Sequence, residues 1–161
     1  MDLPRGWYQV AGVTPHTFRR HGLATASGSL QLSMLPPPDE PVPDGDAAMA
    51  MLHETLVQMS IAVGSPLESG HEEAAGGWLA HATYRHVGGQ REYWIIPGEV
   101  ATVFAAWQMG AKATAGMERH DIHEMLKRLH FEEEADAEDD ASAGEPVAAE
   151  ADGQASADEE P

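Results

Sequence analysis

Residues 78–109, WLAHATYRHVGGQREYWIIPGEVATVFAAWQM, alternate and turn as a β-meander requires. Successive side chains of a strand point to opposite faces. Over residues 78–87 one parity carries Trp78, Ala80, Ala82, Tyr84 and His86. The other carries Leu79, His81, Thr83, Arg85 and Val87, and the first set is the more apolar. Val87-Gly88-Gly89-Gln90 supplies glycines where a two-residue hairpin turn needs positive φ. A second strand over 91–96 contains Tyr93, Trp94, Ile95 and Ile96, all favoured in sheets. Pro97-Gly98 predicts a type II turn, with proline at i+1 and glycine at i+2. In the third strand, 99–109, Val100, Thr102, Phe104 and Ala106 share one face; Ala101, Val103, Ala105, Trp107 and Met109 share the other. Both faces are largely apolar, so this strand is expected at the centre of a sheet, covered on both sides. The short connections make the three strands antiparallel.

Working back from this stretch, residues 67–77 are polar and flanked by glycine, and read as either an edge strand or a loop. A helix is expected over 47–63, capped by Asp46. Ala48, Met51, Leu52, Leu56, Met59, Ala62 and Val63 make its apolar stripe, and Gly64-Ser65-Pro66 makes its stop. Before it, PPPDEPVPDG (36–45) has five prolines in ten residues. Such a run excludes helix and central strand. Residues 29–35 alternate Leu30, Leu32 and Met34 against Ser29, Gln31, Ser33 and Leu35, which predicts a strand. Two shorter strands are expected at 7–11 and 16–21.

Working forward, 110–116 reads as a loop and 117–130 as a second helix, with Ile122, Met125, Leu126 and Leu129 as its buried stripe. From Glu132 the composition changes. Residues 1–131 hold nine Lys/Arg against fourteen Asp/Glu, a net of −5, whereas 132–161 hold thirteen Asp/Glu and no Lys or Arg, a net of −13. Few core-forming residues and high net charge predict a disordered acidic tail. One domain, 1–131, with the tail 132–161 is the expected organisation. A chain of net charge −18 is a poor nucleic-acid binder, because phosphate contacts need a positive surface.

There is no cysteine, which excludes disulfides, thiolate zinc sites and cysteine nucleophiles. No basic-plus-apolar leader is seen, and no run approaches the length of a membrane helix. A soluble, cytoplasmic protein without membrane insertion is expected.

The order strand-strand-strand, helix, strands, helix opens with Pro4-Arg5-Gly6-Trp7 and closes on Leu129-His130-Phe131. Over residues 4–131 it resembles the DcrB/PsbP-like superfamily. The resemblance implies an α+β fold, an antiparallel sheet between two amphipathic helices (an α/β/α sandwich). Members are mostly non-catalytic and include cytoplasmic adaptors that hold effectors for type VI secretion. The resemblance supplies no catalytic motif to carry over.

The residues themselves offer few chemical sites. His120 and His123 lie three apart on a helix and are the candidate metal pair, but no His-Glu-Xaa-Xaa-His or other diagnostic ligand set accompanies them. A solvated helix face is the simpler reading. His81 and His86 have opposite parity, as do His16 and His21, and read as surface residues. Arg19-Arg20-His21 is a short basic spot that could grip a partner's carboxylate or the chain's own acidic tail. Glu72-Glu73 read as solvated carboxylates. No nucleophile elbow or phosphate-cradling loop occurs. Trp78, Tyr84, Tyr93, Trp94 and Trp107 are the candidate binding residues: most of the tryptophans are expected in the core, because aromatics dominate cores, and if one sheet face lacks a covering helix the remainder line an apolar docking surface.

These observations lead to a non-enzymatic protein-binding adaptor or chaperone-like domain for a protein partner, without cofactor. The alternatives are an immunity protein against a basic toxin, a metal-assisted enzyme using His120 and His123, and a structural accessory subunit.

Overall fold

Alternating strands and two amphipathic helices assemble into one seven-stranded antiparallel sheet with a helix on each face, a mixed α+β fold. A computed structural model describes residues 3–12, 14–20, 28–61, 64–87, 89–109 and 112–129, with the backbone alone described for 112–115. The strands are β1 Trp7–Val10, β2 His16–Arg20, β3 Ser29–Leu35, β4 Glu68–Ala74, β5 Gly77–His86, β6 Gly89–Pro97 and β7 Thr102–Gln108; the helices are α1 Gly45–Gln58 and α2 Lys112–Lys127. Spatial order is β1-β2-β3-β7-β6-β5-β4. The meander read from residues 78–109 is therefore β5-β6-β7, and β7 is the central strand. Residues 67–77 hold the edge strand β4.

The turns differ from expectation in one place. Pro97 ends β6 and pairs with Thr102. The turn spans the next four residues, closed by Gly98 N–H donating to the Ala101 carbonyl at 3.1 Å. The type II turn at Pro97-Gly98 is thus corrected to a longer loop, because the sheet ladder continues through the proline. In the first hairpin His86 faces Gly89, and Gly88 lies outside the described residues.

Both helices begin earlier than their sequence signals suggest. Asp44, not Asp46, caps α1: its backbone is extended and its carboxylate accepts from Ala47 N–H at 2.8 Å. The helix ends at Gln58 instead of reaching residue 63, because Ser60 turns into the left-handed region at φ 57°. Residues 62–63 lie outside the described set. α2 starts at Lys112, so residues 112–116, read as loop, are helical; residues 110–111 lie outside the described set. Gly116 is accommodated within that helix.

Parity sorts the core into two clusters. On the α2 side, Leu79, Trp94, Ile96, Val103, Ala105, Trp107, Leu30, Leu32, Phe18 and Trp7 meet Ile122, Met125 and Leu126. On the other side, Ala80, Ala82, Tyr84, Tyr93, Ile95 and Phe104 meet Ala48, Leu52 and Leu56 of α1. Ala48, Leu52 and Leu56 of the first predicted stripe and Ile122, Met125 and Leu126 of the second supply the buried contacts; Met59 is exposed, because the helix ends before it, and Ala62 and Val63 lie outside the described residues. The acidic tail lies outside the described residues.

Candidate functional site

Burial removes the aromatic set from contention as a single open surface. Trp94 and Trp107 are 0% exposed, Tyr93 1% and Tyr84 4%. Only Trp78 is half-buried, edge-on to His71 with ring centroids 5.9 Å apart. The five also divide between faces: Trp94 and Trp107 belong to the α2 cluster, and Tyr84, Tyr93 and Trp78 to the α1 cluster. Each sheet face acquires a helix where these rings lie. The expectation of an uncovered aromatic face is therefore corrected. Burial also raises the Tyr84 hydroxyl pKa, with neighbouring Tyr93 adding to the shift.

The candidate metal pair does not converge either. His120 is exposed, while His123 turns inward to hydrogen-bond Glu72 on β4. Lys127 Nζ reaches the other oxygen of Glu72 at 2.6 Å. Glu72 is thus a paired strand residue and not a solvated loop carboxylate. Among the described residues, no group of three or more His, Cys, Asp or Glu is arranged to hold a metal ion.

His123 belongs instead to an ionic latch that binds α2 to β4, β5 and β6. Its centre is Glu92, a fully buried carboxylate on β6. Arg119 Nη2 donates to Glu92 Oε1 at 3.0 Å, and Arg119 Nη1 donates to Glu68 Oε2 at 2.9 Å. Arg119 Nε also lies 2.7 Å from Glu92 Oε2, an ionic approach too bent to satisfy that oxygen as a hydrogen bond. His81 Nδ1 sits 3.2 Å from Glu92 Oε1, again without hydrogen-bond geometry, and its ring meets His123 edge-on at 5.6 Å. His81 is consequently a half-buried latch residue, not the surface residue its parity suggested.

The latch is legible in its charge effects. The hydrogen bond from Arg119, then its positive charge, lowers the Glu68 pKa. The hydrogen bond from Lys127 leads the lowering at Glu72, with His123 contributing. Burial opposes the charge of Arg119, yet its bonds to Glu68 and Glu92 outweigh burial and raise its pKa. The opposite flank of α2 is tied as well. Trp7 Nε1 donates to Asp121 Oδ2 at 3.3 Å, Arg20 Nη2 approaches the same oxygen at 3.6 Å, and Gly28 N–H donates to the buried Glu118 at 2.9 Å. A shallow cleft of about 320 Å³ opens beside the latch, between Leu67, Glu68, Thr83, Gln90, Trp107 and Arg119.

The remaining surface of interest lies on the α1 side. α1 packs on β4, β5 and β6. The same face of β1, β2 and β3 extends beyond it. Pairing across the strands gives one polar row. Tyr8 faces Arg19, Ser29 faces Gln108, Gln108 faces Arg91, and Arg91 faces Tyr84. Arg19 falls opposite Ser29, one step beyond the Phe18–Leu30 pair. A second row holds Val10, Thr17, Gln31 and Ala106. Tyr8 is 36% exposed, and Arg19, Gln31 and Arg91 are exposed. Arg91 Nε donates to Gln108 Oε1 at 2.9 Å, which steers its guanidinium over β7. Three strand spacings separate Arg19 from Arg91, roughly 14 Å.

By this parity, the described residues of β1, β2, β3, β7 and β6 place no Asp or Glu on this face. In a chain of net charge −18, that makes it a surface suited to accept carboxylates. At its margin, burial and then the charge of Arg91 lower the pKa of His86, whose Nε2 meets the Tyr93 hydroxyl at 3.2 Å. Of the basic spot read at residues 19–21, Arg19 serves this face and Arg20 serves the α2 flank; His21 lies outside the described residues. Neither Arg91 nor the row itself was singled out in the sequence. The signal available was Arg91 sharing parity with Tyr93 in a strand otherwise rich in core residues.

No protein-family model matches the chain, and no curated protein matches it in sequence. Among the described residues, no helix is long and apolar enough to cross a membrane.

Proposed function

We propose that this chain is a non-catalytic, cytoplasmic protein-binding domain of the adaptor or chaperone-like kind, and that the open half of the α1 face receives the partner. The observation that carries this is the polar row itself. It offers Tyr8, Arg19, Gln108 and Arg91 on strands, with Gln31 in the row beside it; α1 packs on β4, β5 and β6, yet Arg91 at the edge of that cover is exposed. Side chains standing on strands are held more firmly than side chains on loops, which suits recognition. Tyrosine and arginine are also the residues that most often anchor interfaces. The reading takes the domain as DcrB/PsbP-like. Its support is the element order, three strands, a helix, four strands and a helix, with one helix on each face of the sheet.

Affinity capture from the cells that make this protein tests the proposal. The full chain should retain a specific partner, and Arg19→Glu with Arg91→Glu should release it. His120→Ala, on the far side of the sheet, should not. Identical capture by the full chain and the Arg19/Arg91 variant would sink the reading.

A further inference from the structure

We propose that the chain's own acidic segment, residues 132–161, occupies the Arg19–Arg91 row and competes there with the partner. The inference rests on the reading of this face as the partner surface and adds how access to it is regulated. Charge complementarity is the first argument. The row presents two arginines, and the described residues of β1, β2, β3, β7 and β6 place no carboxylate on its face. The thirty residues from Glu132 carry thirteen carboxylates and no Lys or Arg.

Of the other described cations, Arg5 and Arg85 are exposed singly, Arg85 on the opposite face by parity, and four more face carboxylates. Arg20 faces Asp121, Arg119 faces Glu68 and Glu92, Lys127 faces Glu72, and Arg128 faces Glu124. A polyanion therefore meets on this row two exposed arginines that share one face.

Reach is the second argument. The described chain ends at Leu129, beside Gly76 at the β4–β5 turn. From there the row lies about seven residues along the strands, on the opposite face and toward the other edge, a path on the order of 45 Å. Sixteen residues of extended chain, from 129 to Glu145, span up to about 55 Å. Glu145 and Glu150, five residues apart, can then be separated by about 16 Å, close to the spacing of the two arginines.

Tethering is the third. Exposed ion pairs contribute only about 0–1 kcal/mol each, so a free peptide of this composition would bind poorly. A covalently attached one works at an effective concentration that can reach about the millimolar range. The contact is therefore weak, intramolecular and salt-sensitive, as a displaceable competitor must be.

The absence of cysteine permits a single label. Ala149→Cys in the full chain, carrying a nitroxide, should selectively broaden the amides of Tyr8, Val10, Thr17, Arg19, Gln31 and Gln108 in a nitrogen-edited NMR spectrum. Amides of Glu72 and His123 on the far face should keep their intensity. The broadening should vanish in Arg19→Gln/Arg91→Gln, in Gln31→Glu, and at about 1 M salt, where the screening length falls to about 3 Å. Broadening that is uniform, absent at low salt, or unchanged by those substitutions overturns the proposal. So does broadening that appears only when labelled chains are mixed with unlabelled isotope-enriched ones, since that is contact between copies. This readout needs no partner. It can fail while partner capture remains Arg19/Arg91-dependent, and it can succeed where capture fails.

Discussion

Glu92 is a charged side chain with no solvent exposure, tolerated because Arg119 neutralises it through a bond to Oε1 and an ionic approach to Oε2. Removing one member of a buried pair strands the other charge, which costs about 3–5 kcal/mol. Arg119 is partly exposed, so the lower end applies: Arg119→Leu should reduce unfolding stability by about 3 kcal/mol. Urea denaturation checks this, and a loss well under 1 kcal/mol would show that the latch contributes little. The carboxyls at the rim of the latch set an acid limit. Pairing lowers the folded-state pKa of Glu68 and Glu72 below the ordinary value of 4.5. Depressed folded values mean stability that is present above the unfolded value and lost as pH falls through the folded one. The urea midpoint should therefore drop between about pH 5 and about pH 3, and Glu68→Gln/Glu72→Gln should flatten that slope. An unchanged slope in the double variant would assign the acid sensitivity elsewhere. Lys127, whose pKa the hydrogen bond to Glu72 raises, keeps its charge through neutral pH, and its own titration removes the pairing in alkali. None of these pairings was readable from the residues alone. Glu92 sits between Arg91 and Tyr93 like any polar strand residue, and its partner is 27 positions away.

At the scale of elements, strands were easier to read than helix ends. Ser29–Leu35 and the meander follow from strict alternation, whose period of two leaves little freedom. Helix boundaries depend on single capping contacts. Asp46 reads as the cap, but the helix already begins at Gly45, buried against His71 with no room for a Cβ, and Asp44 caps it. The far end of α2 shows the same dependence on context. Ala75 N–H donates to the Lys127 carbonyl at 2.9 Å, so the β4–β5 turn closes over the helix C-terminus. A Cβ on Gly76 would lie 2.7 Å from the Leu129 carbonyl oxygen. Backbone cannot swing away as a flexible side chain can. Gly76→Ala should therefore cost about 1–3 kcal/mol, the range for overpacking, read as a lowered thermal midpoint. A neutral effect would mean that the turn and the helix end are not in firm contact.

For the whole molecule, the decisive feature is a sheet wider than the helix on one of its faces. α1 protects β4, β5 and β6 and leaves the β1–β3 half to carry Arg19, Gln31 and Tyr8. An interface built on that half should weaken with added salt more than one built on apolar rings, because exposed charges are screened over about 8 Å at physiological ionic strength. By itself the sequence determined the alternation of residues 78–109, the central place of their third strand, the stripes on both helices and the charge contrast between 1–131 and 132–161. Those are local properties, set by side-chain period and composition. Which half of a face the first helix covers, how the aromatic rings divide between the two faces, and that His81, Glu92, Arg119, His123 and Glu72 meet, were decided only by tertiary structure. Strand order and helix placement bring together residues far apart in the chain, and no periodicity within one element records that meeting.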